Sequence, residues 1–482
     1  MDKILTIFRH ELAGKRRNAG LKWLFAMMQL LLLVALLTGW HQYSQTAAQQ
    51  STAQTLVEQQ WRDQPSRHPH RVAHFGHFTF RPPGTLAFFD VGVNNFVGNS
   101  IFIEAHRQNS ANFANDQDAS VLLRFSGLSV ANILLLFWPL LLISVGFNAV
   151  AGERQNGTLR QLLSVNISLG QLLLGKGLAY LLLSLLFIGP VFIATLAVSG
   201  FADITLTSDS LWRIGGLFVV YLGYCLVWLL LILLASCLIS SIRNTLLVLV
   251  SLWFGLTILM PRVVADIADH RNPLMGRNDF ELTVQQLTRQ VGDSHNPDDP
   301  HFNQFKQRIL SEYKVQKVED LPVNYKGLLM KEGERISADI FAKQYRLQLQ
   351  QLHQQQDFVS GFYWLNPYLF ARDLSMALSA TDAWHFFDYE WQTEAHRYAR
   401  IQKLNAIHTE HIDHKNDGKQ LADKALWQTF NHFDYQQPSP GWSLQPFMGF
   451  WWLPLLLLVG CVWLLLVFPG LKMVRRRLYA LA

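Results

Sequence analysis

The stretch GERQNGTLRQLLSVNISLGQLLLGK, residues 152–176, lies between an apolar run ending near Val150 and another beginning near Leu172. A polar segment this short, between two runs long enough to cross a bilayer, reads as a loop at one membrane surface. Two start signals of the capping-box type give it helical content, Thr158 with Gln161 and Ser168 with Gln171. Gly157 permits a sharp turn into the first helix. Leu159, Leu162 and Leu163 fall on one side of that helix, with Arg154, Asn156 and Arg160 as polar contacts. A small amphipathic helix at the membrane surface is expected, placed to receive force from a soluble partner.

Composition bounds the class independently. Half the residues are hydrophobic and 16% are charged, below the roughly 25% of soluble domains. Six spans are expected, at residues 23–40, 130–150, 172–198, 211–239, 245–264 and 447–468, with Pro139 and Pro190 kinking the second and third. Orientation follows from basic residues near the helix ends. Lys3, Arg9, Lys15, Arg16, Arg17 and Lys22 precede the first span, and Arg154, Arg160 and Lys176 mark the loop after the second. Arg243 lies after the fourth, and Lys472, Arg475, Arg476 and Arg477 follow the sixth. All fall on one side, so both termini are expected in the cytoplasm, with Trp40, Trp212, Trp442, Trp451 and Trp452 at the opposite interface. Residues 1–22 are amphipathic through Ile4, Ile7, Phe8 and Leu12, and the run that follows is long for a signal peptide, so an uncleaved anchor is expected.

The loop resembles the coupling loop of type-2 ABC exporter permeases. The residues that carry the resemblance are Glu153, Gly157-Thr158-Leu159, Leu162-Leu163 and Gly175-Lys176; where the family often has Pro after the Leu pair, this chain reads Ser164-Val165-Asn166-Ile167. Met260-Pro261-Arg262, Asn366-Pro367, Ser379-Ala380-Thr381-Asp382, Glu394, Arg397 and Asn405 resemble a branch of these permeases that inserts a large domain between the fifth and sixth spans. The resemblance implies an elbow helix over 1–22 lying along the inner leaflet and a coupling loop over 151–171. It also implies separate ATPase subunits contacting Glu153, Arg154, Gly157, Thr158, Leu159, Arg160, Leu162 and Leu163.

Two polar regions remain, 41–129 and 265–446, with 469–482 as a tail. In the first, HFTFRPPGTLAFFDVGVNNF suggests strands around the Pro82-Pro83-Gly84 turn. The second reads mostly as helices, one starting at Thr283 with Gln286 and a longer one over 383–411 with Phe387, Trp391, Ala395, Tyr398, Ile401 and Leu404 on one stripe. Cys225, Cys237 and Cys461 all fall within expected spans, so no disulfide is expected in the outer regions. Residues 170–176 fit G-x-x-x-x-G-K, but Gly177 stands where a phosphate-binding loop needs Ser or Thr, and a span follows at once.

His68, His70, His74 and His77 crowd one segment, and His408, His411 and His414 recur near Glu410 and Asp413. Such groups can bind zinc or copper. None has a tight ligand spacing, and a solvated, pH-sensitive surface is the simpler reading. Asp373, Asp382, Asp388, Glu390 and Glu394 show no catalytic pairing at the sequence level. The net charge of +6 is accounted for by the flanks of the spans, which touch anionic lipid and need no nucleic acid.

The reading is an all-α polytopic membrane protein of six transmembrane helices with an N-terminal elbow helix, carrying a mainly helical α+β extracytoplasmic domain. It is expected in a bacterial inner membrane as the permease of an ABC exporter, working with ABC ATPase subunits and a second permease copy or paralogue; a periplasmic protein is a further candidate partner. No cofactor or metal is expected in this chain, and ATP and Mg belong to the ATPase. The alternatives are a non-transporting energy coupler acting on a periplasmic partner and, more weakly, a membrane-bound enzyme with an extracytoplasmic site.

Overall fold

In lipid a chain must satisfy its own backbone groups, so long apolar runs fold as helices. The computed structural model, which describes residues 2–111, 128–201, 207–292, 296 and 299–450, carries five helices long and apolar enough to cross a membrane: Ala19–Arg62, Val130–Gln155, Leu169–Gly200, Ser208–Leu238 and Ile242–Arg271. The sixth expected span lies almost wholly outside the described residues, as do Trp451, Trp452, Cys461 and the basic residues after it.

Helix α1 (Asp2–Arg17) leads into α2 (Ala19–Arg62), whose start is capped by Asn18 Oδ1 accepting from Leu21 N at 3.0 Å. At 44 residues α2 is about 66 Å long, about twice the hydrocarbon thickness. The polar region over 41–129 therefore begins as a continuation of the apolar helix. After α3 (Pro69–Ala73) come β1 (His77–Phe80) and β2 (Ser100–Ile103), paired antiparallel with His77 opposite Ile103. The hairpin expected at Pro82-Pro83-Gly84 does not form, and residues 81–99 are the connection. Leu86, Phe88 and Phe89 explain this, because they are buried in the same core as the apolar helices and draw the segment away from β1.

The second apolar run is a turn at Val130–Asn132, a π segment at Ile133–Phe137 and α4 (Trp138–Gly146). Then follow α5 (Ala151–Gln155), α6 (Thr158–Ser164), α7 (Leu169–Phe201), α8 (Ser208–Leu238) and α9 (Ile242–Phe254). A second π segment at Gly255–Leu259 joins α9 to α10 (Met260–Arg271). Both π segments stand just before a proline, Pro139 or Pro261. Proline has no N–H and its ring crowds the carbonyl one turn back, and a widened turn relieves both. Loosened carbonyls then take side-chain donors. Tyr224 Oη donates to Leu135 O at 2.9 Å, Trp253 Nε1 to Leu136 O at 2.9 Å and Asn366 Nδ2 to Leu256 O at 2.8 Å. Pro190 lies inside α7, which runs through it unbroken.

The remaining chain forms α11 (Arg277–Val291), α12 (Pro300–Glu312), α13 (Tyr325–Ser360), α14 (Pro367–Ser379), α15 (Ala383–His411) and α16 (Pro440–Leu444). Thr283, expected as a cap, sits inside α11, where its hydroxyl donates to Asp279 O at 2.7 Å. Helix α15 has the expected limits, but its buried face is Phe386, Tyr389, Arg397, Arg400, Ile401 and Leu404; Trp391 of the expected stripe is 43% exposed. Two arginines belong to the buried face, which an apolar pattern cannot register.

Arg213, near the start of α8 and 1% exposed, donates Nη1 to Ala377 O at 3.3 Å and Leu378 O at 3.1 Å, capping the C-terminus of α14. A guanidinium suits a helix end of negative dipole. Arg213→Met would leave those carbonyls buried without their donor, and we expect a loss of about 2–3 kcal/mol. Thermal unfolding of the purified protein in detergent checks this, and an unchanged midpoint would show that the cap contributes nothing.

Candidate functional site

The expected coupling loop folds as two short helices, α5 and α6, joined at Gly157, whose φ of 74° suits glycine. The capping box of Ser168 and Gln171 forms, with Ser168 N donating to Gln171 Oε1 at 3.0 Å and Gln171 N to Ser168 Oγ at 3.2 Å. That of Thr158 and Gln161 does not. Gly157 is the cap residue of α6, and the Thr158 hydroxyl is taken by the Glu153 carboxylate.

The inner side of the loop is locked. Arg154 donates Nη1 to Ile239 O at 3.0 Å and Nη2 to Cys237 O at 2.8 Å, closing the C-terminus of α8. Ser236 Oγ accepts from the Val150 and Ala151 amides. Leu159 is buried at 1% exposure, and Leu162 and Leu163 pack against the same core. Lys176, in the first turns of α7, stands between two carboxylates, 2.7 Å from Glu153 Oε1 and 3.1 Å from Glu11 Oε2 on α1. Tyr180 Oη donates to Glu11 Oε1 at 2.7 Å. Burial works against ionising Glu11, but Lys176 and Lys15 outweigh it and hold the carboxyl below its ordinary range. For Glu153 burial also opposes the charge, and the bonds from Lys176 and Thr158 prevail. At Gly175 a Cβ would meet Ile7 Cβ at 2.7 Å and Ile4 O at 3.0 Å, so the missing side chain is what lets α1 lie on α7.

The outer side is open. Gln155, Asn156, Gly157, Arg160, Gln161, Ser164, Val165 and Asn166 are exposed. Lys3 Nζ donates to Asn166 O at 2.8 Å, tying the start of α1 to the far edge of the loop. Of the residues expected to contact an ATPase, Arg160 and Gly157 are on this open face, while Arg154 and Leu159 face inward. Residues 170–176 lie within α7, and Lys176 is committed to its two carboxylates.

The acidic residues singled out in the outer region are each engaged separately. Asp373 accepts from Tyr363 Oη at 2.8 Å, Asp382 caps α15 through His385 N at 2.9 Å, Asp388 accepts from Gln392, Glu390 accepts from Tyr345 Oη at 2.9 Å, and Glu394 pairs with Arg397 at 2.7 Å. The histidines divide. His77 meets Arg400, His68 joins His408 and Asp417, and His70 and His74 join His106, which sequence spacing did not single out. His411 and His414 enter neither group.

Residues 93–271 match a family model described as ABC-2 family transporter protein, and residues 280–436 match one described as domain of unknown function DUF3526. The first match ends at the last residue of α10, where the apolar helices end. No curated protein matches the chain. The first match and the five apolar helices support a multi-pass membrane permease of an ABC transporter.

Two outcomes follow from the lock. Glu11 and Glu153 have folded values below the ordinary 4.5, so the stability they add is present above that value and is lost as pH falls through the lowered ones. Protection of residues 2–17 against hydrogen exchange, taken relative to the intrinsic amide rate at each pH, is expected to fall on acidification below about pH 4.5 and to stay constant between pH 6 and 8. Gly175→Val should detach α1 at neutral pH, at a cost of about 1–3 kcal/mol, seen as faster exchange in the same segment. Unchanged exchange in the variant would contradict the close packing.

Proposed function

We propose that this chain is the permease subunit of an ATP-driven ABC exporter in a bacterial inner membrane. Separate ATPase subunits dock on the open face between α5 and α7, and the chain works beside a second copy or a paralogue. ATP and Mg are handled by the ATPase, and α1 serves as an elbow helix along the inner leaflet. The observation that carries the reading is the two-sidedness of the loop. Its outer face offers exposed polar groups and backbone, while its inner face is fixed to α8 by Arg154 and to α1 and α7 by the Glu153–Lys176–Glu11 bridge. A surface built this way transmits a push instead of absorbing it.

Arg160→Glu with Val165→Asp changes only exposed positions, Val165 being 61% exposed. Binding of a partner ABC ATPase is expected to weaken about tenfold, roughly 1.4 kcal/mol, with membrane abundance unchanged. Full ATPase co-purification and full stimulation of its turnover would remove the docking assignment.

A second reading, an energy coupler acting on a periplasmic partner, is favoured by helices that pass without a break from the apolar core into the outer module, namely α2 and the α9–π–α10 run. Deleting 272–437 behind a flexible linker separates the readings. Retained ATP-dependent efflux would discard the coupler.

A further inference from the structure

Helix α3 and the turn after β2 bring together three imidazoles from two places in the sequence. His70 lies on α3, and His74 is the residue that ends it, one helical turn on. His106 follows β2. One ring nitrogen of each lies within 4.8 Å of the other two. The ring centroids are 4.7 Å apart for His70 and His74, 5.3 Å for His74 and His106, and 5.8 Å for His70 and His106. In a tetrahedral zinc shell with Zn–N near 2.0–2.1 Å the ligand atoms stand about 3.3 Å apart, a contraction that side-chain rotation supplies because His74 is exposed.

The scaffold under the three rings is fixed. Val72 and Ala73 of α3 are buried against α15 in a cluster with Ile401 and Leu404, and Ala105 N donates to Ala73 O at 3.2 Å, which sets His106 beside His74. His106 has φ 61°, in the left-handed region that a residue with a Cβ rarely occupies. Strain of this kind persists where the surroundings over-determine it. Here the determinant is Glu334, which is fully buried. Its Oε2 accepts from His106 N at 3.1 Å and lies 3.4 Å from His106 Nδ1, and its Oε1 is 2.6 Å from Arg397 Nη1. A carboxylate behind one ring nitrogen is the arrangement that orients metal-bound histidine and raises its basicity. It assigns Nδ1 of His106 to Glu334 and Nε2 to ligation.

We propose that His70, His74 and His106 form a binding site for one divalent transition-metal ion of the zinc type, with Glu334 orienting His106 and a fourth position open to water. Three neutral imidazoles suit this class of ion. The other cluster, His68, His408 and Asp417, is a weaker claimant. Asp417 Oδ1 already accepts from His408 Nε2 and Asn324 Nδ2, both at 2.7 Å, and the Lys326 ammonium sits 3.1 Å from Oδ2, a charge that opposes a cation.

The test uses the full chain in detergent, with any affinity tag removed and metal stripped by chelator, titrated with Zn²⁺ by calorimetry. One ion per chain is expected. His74→Ala, at an exposed position that leaves the fold intact, should weaken binding about tenfold or more, and Glu334→Gln, a positioning change, about tenfold. His408→Ala should bind as the parent does. Absence of stoichiometric binding, or loss in His408→Ala with retention in His74→Ala, would overturn the assignment. The readout is metal affinity and does not depend on transport activity.

Discussion

A carbonyl released from a helix ladder in apolar surroundings has no water to turn to, at a cost of several kcal/mol if left alone, and this constraint organises the membrane-type half of the molecule. At several points where the ladder is loosened or ends, a side chain from another helix is committed to it. Tyr224, Trp253 and Asn366 serve the two π segments, Gln29 donates to Phe187 O at 2.7 Å three residues before Pro190, and Arg154 and Arg213 close two helix ends. Each donor joins two elements, so satisfying the backbone also welds the bundle. Helix α14 is held this way at both ends, by Asn366 to the π segment after α9 and by Arg213 to α8.

Lys176 plays the matching part among charges. A buried ammonium is costly unless it is paired, and here it is paired twice, by carboxylates from α1 and α5. Each carboxylate comes from a different segment, so the one ammonium ties three segments distant in sequence together. The Gly175-Lys176 pair that invites comparison with a phosphate-binding loop is thus fully used. Glycine supplies the close approach to Ile7, and lysine supplies the bridge.

What was legible in the sequence was what local chemistry decides. The apolar runs, the loop between the second and third of them, the Ser168–Gln171 box and the limits of α15 depend on residues a few positions apart. The missed features depend on distant partners. A single arginine near the start of an apolar run reads as a flank, and only the fold shows that Arg213 meets α14. Thr158 has the spacing of a cap, yet Glu153 claims its hydroxyl. The segment after Pro83 has strand-like alternation, but the apolar core outcompetes a hairpin for Leu86, Phe88 and Phe89. His106 stands apart from His70 and His74 by a strand pair, so no spacing rule could join them.

These joints define a mechanical path. Helix α8 has 31 residues, a rod of about 46 Å. At its C-terminus Arg154 fastens it to the loop, and near its N-terminus its own Arg213 fastens it to α14, whose next element is α15 of the outer module. Packed helices move as rigid bodies, because cores are bistable and do not deform continuously. In the proposed function, a push on the α5–α6 loop would pass along α8 towards α14 and α15, and the Glu153–Lys176–Glu11 bridge would take α1 and α7 with it. The proposed docking of an ATPase on the open face of the loop would engage this path at its inner end.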